Sequence, residues 1–216
     1  MTEPEGCYTL SAAGREEIII RKSHFIGLAA PVKSEEEALA LIHTEKSSYR
    51  DASHHCFAYI IGENAGLMRF SDDKEPQGTA GIPILEVLRR TRLVNCAAVV
   101  TRYFGGVLLG TGGLARAYTQ AASLAVKNAG VALSLRSIRI TAEIPYVYWD
   151  RINYALERLP VCGIQREFSS FVTLTLTLRE TDREALEREL AALTDGNVTL
   201  ECSESFYWLW QAGQDV

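Results

Sequence analysis

The segment Arg102-Tyr-Phe-Gly-Gly-Val-Leu-Leu-Gly-Thr-Gly-Gly-Leu114 constrains this chain more than any other. Five glycines, Gly105, Gly106, Gly110, Gly112 and Gly113, fall within nine residues. Ahead of them lies the most apolar run, Asn95–Arg102 (NCAAVVTR). Behind them a helical pattern covers Gly110–Asn128, and Gly130 stops it as a C-cap glycine would. The segment is therefore read as a crossing from a central strand into the longest helix. Glycines can serve such a crossing in two ways. They let the backbone turn tightly, or they let a ligand approach the free amides of the helix start. In the second case Arg102, Tyr103 and Arg116 would flank a phosphate or another anion. The spacing matches neither the Walker loop nor the dinucleotide fingerprint, and no Lys-Ser/Thr follows.

The elements around the crossing follow from periodicity. Residues 15–32 predict two strands broken at Arg21-Lys22-Ser23. Ser34 caps a helix with Glu35, Glu36 and Glu37 in its first turn; its inner stripe is Ala38, Leu41, Ile42 and Glu45, and it ends near Tyr49. His55–Gly62 and Leu67–Phe70 read as a hairpin, and a helix covers Ala80–Thr91 with Pro83 in its first turn. Beyond residue 136 the pattern is strand Ser137–Ile144, helix Val147–Leu159, strands Gly163–Phe168 and Phe171–Leu178, a helix capped by Thr181 through Leu193, and a last strand Asn197–Trp208. Thr173, Thr175 and Thr177 place one sheet face in water. The order β-α-β-β-α-β is that of the ferredoxin-like split unit.

Charge divides the chain at the same point. Residues 1–136 hold 15 basic and 14 acidic side chains, whereas residues 137–216 hold 7 and 13. Two domains are expected, 1–136 and 137–216. The whole chain carries −5, which suits a polyanion poorly, but no acid occurs between Glu86 and Glu143. Arg89, Arg90, Arg92, Arg102, Arg116, Lys127, Arg136 and Arg139 lie in that interval and would form a positive face if acids from elsewhere leave them unpaired. With 47% hydrophobic residues the chain is neither disordered nor a coiled-coil rod. No apolar run reaches the roughly 18–20 residues of a membrane span. The acidic N-terminus lacks the pattern of a secretory signal, so a cytoplasmic location without a membrane partner is expected.

A second motif, Ser71-Asp72-Asp73-Lys74-Glu75-Pro76-Gln77-Gly78-Thr79-Ala80-Gly81, gathers acids before a helix. Its acids or Thr79 are expected to satisfy the amides of that helix rather than to hold a metal. His54-His55-Cys56 has metal-like residue types, but neighbouring strand residues face opposite sides, so partly buried, hydrogen-bonded histidines are expected. The five cysteines, at positions 7, 56, 96, 162 and 202, have no zinc or dithiol spacing and are read as buried apolar residues. No metal, cofactor or catalytic residue is assigned.

Four of these stretches resemble one family. KSHFIG (22–27), DASHHCFAY (51–59), FSDDKEPQGTAGIPIL (70–85) and VVTRYFGGVLLGTGGLARAY (99–118) are similar to the motifs of the Impact/YigZ family, with Lys74 standing where the family usually has Gly. The resemblance spans about residues 15–129, and the second half looks like that family's C-terminal domain. It implies an α+β protein: an N-terminal domain similar to domain 2 of ribosomal protein S5, then a ferredoxin-like domain similar to the C-terminal domains of elongation factor G. It also implies a role near translation, since the eukaryotic member regulates translation under starvation by competing for the co-activator of an initiation-factor kinase. Too few residues precede the match for that protein's RWD-type domain, so the short bacterial form is expected.

Three functional expectations follow. The first is a non-enzymatic binding protein that touches RNA, the ribosome or a translation-associated protein through Arg102, Arg116, the Gly110–Gly113 amides and the rings of Tyr103 and Phe104. The second is an enzyme or sensor that binds a small phosphorylated or anionic ligand at the glycine-rich helix start, with Asp72 or Asp73 holding magnesium or acting as base. The third is a protein-docking module in the acidic half, with Phe206, Tyr207, Trp208 and Trp210 at its end. Oligomeric state is not legible.

Overall fold

The fold was described from a computed structural model covering residues 6–211. The outermost residues of both expected domains, 1–5 and 212–216, lie outside the described residues. Two compact units emerge: Gly6–Ser134, joined by the end of the last strand, and Leu135–Trp208. All named strand pairings within them are antiparallel.

In the first unit, β2 (Gly14–Ile20), β3 (Ser23–Pro31), β6 (Cys96–Tyr103), β4 (His54–Ile61) and β5 (Leu67–Ser71) form a sheet in the order β2-β3-β6-β4-β5. The apolar run thus takes the centre. A further strand, β1 (Gly6–Leu10), has no counterpart in the sequence reading; it pairs outside this sheet, with β7 (Val131–Ile144). Helix α1 (Glu35–Ser48) lies on one face, where Ala38 and Ile42 join Val32, Tyr59, Ala97 and Val99. Ser34 accepts the Glu37 amide at 3.3 Å, as a capping serine does. Glu45 sits on the inner stripe because Arg15 takes both its oxygens, at 2.6 and 3.0 Å. The other face is covered by α2 (Gly81–Arg90) and α3 (Thr111–Ala129). Helix α3 comes in close on Ala117, Ala121 and Ala125; a Cβ on Gly27 would stand 2.5 Å from the Ala121 carbonyl oxygen.

The second unit contains most of β7, then α4 (Tyr146–Leu156), β8 (Val161–Phe168), β9 (Val172–Arg179), α5 (Arg183–Leu193), β10 (Leu200–Cys202) and the start of β11 (Phe206–Gln211). The order β7-β9-β8 holds, with β10 and β11 also on β7. Its core joins Ile138, Ile140, Leu174 and Leu176 to Ile152, Leu186 and Leu190 of the two helices.

The chain passes from one unit to the other inside β7, between Ser134 and Leu135; this strand follows α3 after the single residue Gly130 and runs without a break. Four details depart from the sequence reading. Thr177 is buried: it pairs with Cys162 at the edge of a bulge, where a Cβ on Gly163 would lie 3.4 Å from its hydroxyl and 3.9 Å from the Trp208 ring. Thr181 does not cap α5; a single 3₁₀ turn, Glu180–Asp182, leads in and Asp182 takes the cap position without a side-chain bond. The last strand is split, since Ser203 turns to exchange hydrogen bonds with the Arg139 amide and carbonyl. Cys7, Cys162 and Cys202 are half-buried rather than buried, and all five thiols are free. No described helix is long and apolar enough to cross a membrane.

Candidate functional site

Register brings the motifs together. Both β3 and β4 pair with β6, so His24 lies beside Tyr103, and Phe25 and His54 both lie beside Arg102. The starts of β3 and β4 therefore flank the end of β6, where the glycine-rich segment begins. Lys22–His24, Asp51–His55, the Ser71–Gly81 loop and Arg102–Gly113 meet at that corner.

Alternation along β6 turns Arg102 toward the same face as Ala98 and Val100, under α3. It is 4% exposed. Its guanidinium donates to Glu75 Oε1 at 2.5 Å and to Ser23 Oγ at 3.1 Å, between the rings of Phe25 and Phe104. The same Glu75 oxygen accepts the Tyr118 hydroxyl of α3 at 2.7 Å, and His54 Nε2 stands 3.7 Å away. Arg102 is thus the cation of a buried pair and does not face outward to meet a ligand. Sequence reasoning missed Ser23 and Tyr118, although both stand inside the family motifs; nothing in their spacing reveals that Tyr118 meets Glu75 while Ser23 meets Arg102.

The loop residues are equally occupied. Asp72 accepts the amides of Gly78 (2.8 Å), Ala80 (3.0 Å) and Gly81 (2.8 Å), so one carboxylate caps α2 from nine residues upstream. Asp73 accepts the His55 amide at 2.7 Å, and its carbonyl accepts His54 Nδ1 at 2.9 Å, which fixes that nitrogen as the protonated one. Ser71 Oγ accepts the Asp73 amide. Thr79 donates to the Pro76 carbonyl instead of capping the helix. His55 Nε2 donates to the Tyr49 carbonyl, and burial pulls its pKa down. Burial pushes the Cys56 thiol and the Tyr118 phenol up, so both stay protonated at neutral pH and neither is an activated nucleophile.

Lys74 adopts φ +70° in this loop, a conformation an L-residue pays for. Lys74→Gly, on an exposed side chain, is expected to stabilise the fold by about 1 kcal/mol; urea unfolding measures it, and an unchanged midpoint refutes the strain.

What faces solvent is the crossing itself. The Gly105 amide donates to Ser23 Oγ, and its Cβ position is filled by the Lys22 carbonyl, so this glycine serves the fold. Gly106 and Gly110 take φ +79° and +70°. Gly113 has Leu109 Cβ 3.2 Å from where a side chain would start. Gly112 differs, with nothing within 4 Å and no left-handed φ. Leu114 is the first residue of α3 whose amide closes a helical bond, to the Gly110 carbonyl, which leaves the Thr111, Gly112 and Gly113 amides at the positive end of a 19-residue helix. One turn on, Arg116 is exposed and makes no ion pair or hydrogen bond among the described residues. Tyr103 is half-buried, stacked on His24 at 6.2 Å and bonded to Asp51; Phe104 is 48% exposed.

These features define a class: a two-unit α+β protein in which a neutralised polar core props up an exposed glycine-rich helix start. Residues 21–126 match the model of the Impact N-terminal domain. The chain is 37% identical over 201 residues to IMPACT family member YvyE of Bacillus subtilis, covering 93% of this chain and 92% of that one. It is 32% identical to IMPACT family member YigZ of Escherichia coli, over 84% and 90% of the two chains. A crystal structure described as a hypothetical protein superposes with a TM-score of 0.61 at 30% identity, over 92% of this chain and 97% of that one. The chain belongs to the IMPACT family.

Proposed function

We propose that this protein is a non-enzymatic, cytoplasmic binding protein that acts in translation by gripping RNA, within the ribosome or free, at the start of α3. The observation that carries the reading is Gly112 together with Arg116. The fold has no use for a glycine at position 112, whereas a phosphate approaching the amides does. An exposed, unpaired arginine one turn further on supplies the charge-assisted contact. Phe104 and the Tyr103–His24 stack offer base-stacking faces beside it. Membership of a family whose eukaryotic member resembles a translation regulator supports the setting. So does reading the first unit as an S5 domain 2-like domain and the second as a ferredoxin-like domain, for which the element order from β7 to β10 speaks. The two domains remain 1–136 and 137–216 in this reading.

Arg116→Ala is expected to weaken binding to single-stranded RNA uniformly across sequences and to lower the slope of log affinity against log salt by about 1. A salt series of RNA-binding isotherms measures it. An unchanged slope removes Arg116 from the interface, and no RNA affinity at low salt sinks the proposal.

A further inference from the structure

In the first sheet, β5 has one partner, β4, among the described residues, so its other edge is open. Open edges are usually blunted by a bulge, a proline, a charged side chain or a covering loop, and of these β5 has one charge, Arg69. Here the five pairs Phe57–Ser71 to Ile61–Leu67 run in unbroken register, and the strand LMRFS holds no proline. Met68 and Phe70 stand opposite Ile60 and Ala58, residues of the core on the α2 side, so both project toward that side. They remain 36% and 46% exposed. Helix α2 begins against this strand, since a Cβ on Gly81 would meet the Ser71 backbone at 2.8 Å, and the next residue, Ile82, is 43% exposed.

Arg69 projects to the opposite face, beside Tyr59. It has no acidic partner among the described residues and spends one guanidinium nitrogen on the Met68 carbonyl at 3.1 Å. That bond turns a main-chain acceptor of the free edge back on the strand's own side chain. The charge also decides the occupant. Two copies pairing antiparallel about a two-fold axis must set residues of the same face opposite each other, and the register of greatest overlap puts Arg69 against Arg69, which is unfavourable.

We propose that the open edge of β5 binds an extended segment of another protein by strand addition, and that the segment carries an acid between two apolar residues. The apolar pair would cover Met68 and Phe70, the acid would draw Arg69 off the Met68 carbonyl, and main-chain hydrogen bonds to the edge, that carbonyl included, would supply the rest. This surface is independent of the RNA reading at α3.

The probes are two fluorescein-labelled peptides, Thr-Ile-Glu-Val-Thr and Thr-Ile-Lys-Val-Thr, titrated by anisotropy against the full chain, with amide resonances followed by NMR. The Glu peptide should bind at least about fivefold tighter than the Lys peptide, and Arg69→Glu should reverse the order. Shifts should centre on residues 67–71, and Phe70→Asp should abolish them. Equal binding of the two peptides, absence of binding by both at millimolar concentration, or shifts elsewhere overturns the proposal. So does self-association of the wild type that Phe70→Asp removes, because the edge would then belong to a second copy. Arg69 and Phe70 are both exposed, so their variants keep the fold, and an unchanged thermal midpoint verifies it.

Discussion

Glu75→Ala is expected to cost about 3–5 kcal/mol of stability, the usual cost of stranding one charge of a buried pair. Both partners are nearly inaccessible, with side chains 5% and 4% exposed, and the pair is closed at 2.5 Å. Without the carboxylate, Arg102 keeps the Ser23 hydroxyl as a hydrogen-bond acceptor and the faces of two aromatic rings. Tyr118, wholly buried, loses the acceptor of its hydroxyl at the same time. Urea unfolding by circular dichroism reads the loss, and hydrogen exchange should localise it to β3, β6 and α3. The double variant Glu75→Leu/Arg102→Met should be milder than either single truncation, since it removes both charges together. A loss under 1 kcal/mol for Glu75→Ala would mean that water reaches Arg102. In RNA-binding tests Arg102→Ala would impair binding by disturbing the fold, so Arg116 is the informative position.

Much of this was legible in the sequence, and the boundary is physical. Elements whose determinants are local stood out: Ser34 three residues before the amide it accepts, Gly130 ending α3, and the apolar run that became the central strand. The second half failed where local preference was overruled. Thr177 alternates as a water-facing residue should, yet it is buried where β8 bulges beside Gly163. Thr181 looks like a cap, yet a 3₁₀ turn takes its place. At the site the motifs were visible but the division of labour within them was not. Asp72 caps a helix nine residues downstream, and Arg102 and Glu75 lie 27 residues apart. Sequence spacing carries no record of such distant pairings. Arg102 and Arg116 look alike as cations beside a glycine-rich segment; only strand alternation, which sends one inward, separates them.

Gly105→Ala is expected to be nearly as damaging, about 3 kcal/mol, while Gly112→Ala, seven residues on, is expected to leave stability unchanged or slightly higher. The added methyl at position 105 would stand 2.1 Å from the carbonyl carbon and oxygen of Lys22 and 2.5 Å from the Ser23 nitrogen. These are backbone atoms of the β2–β3 turn, where Arg21 and Lys22 already sit at φ +45° and +68°, so the turn has little room to yield. Displacing Ser23 would also shift the hydroxyl that holds both the Gly105 amide and Arg102, carrying the strain into the buried pair. At position 112 the methyl meets nothing within 4 Å. Thermal unfolding of the two variants measures the contrast, and RNA binding adds the functional half. If phosphate approaches the α3 amides, Gly112→Ala should bind RNA more weakly while melting no lower than wild type. A Gly112→Ala protein that binds RNA as before would show that the approach lies elsewhere, and a Gly105→Ala protein that melts as before would show that the crossing is looser than the Lys22 contact requires.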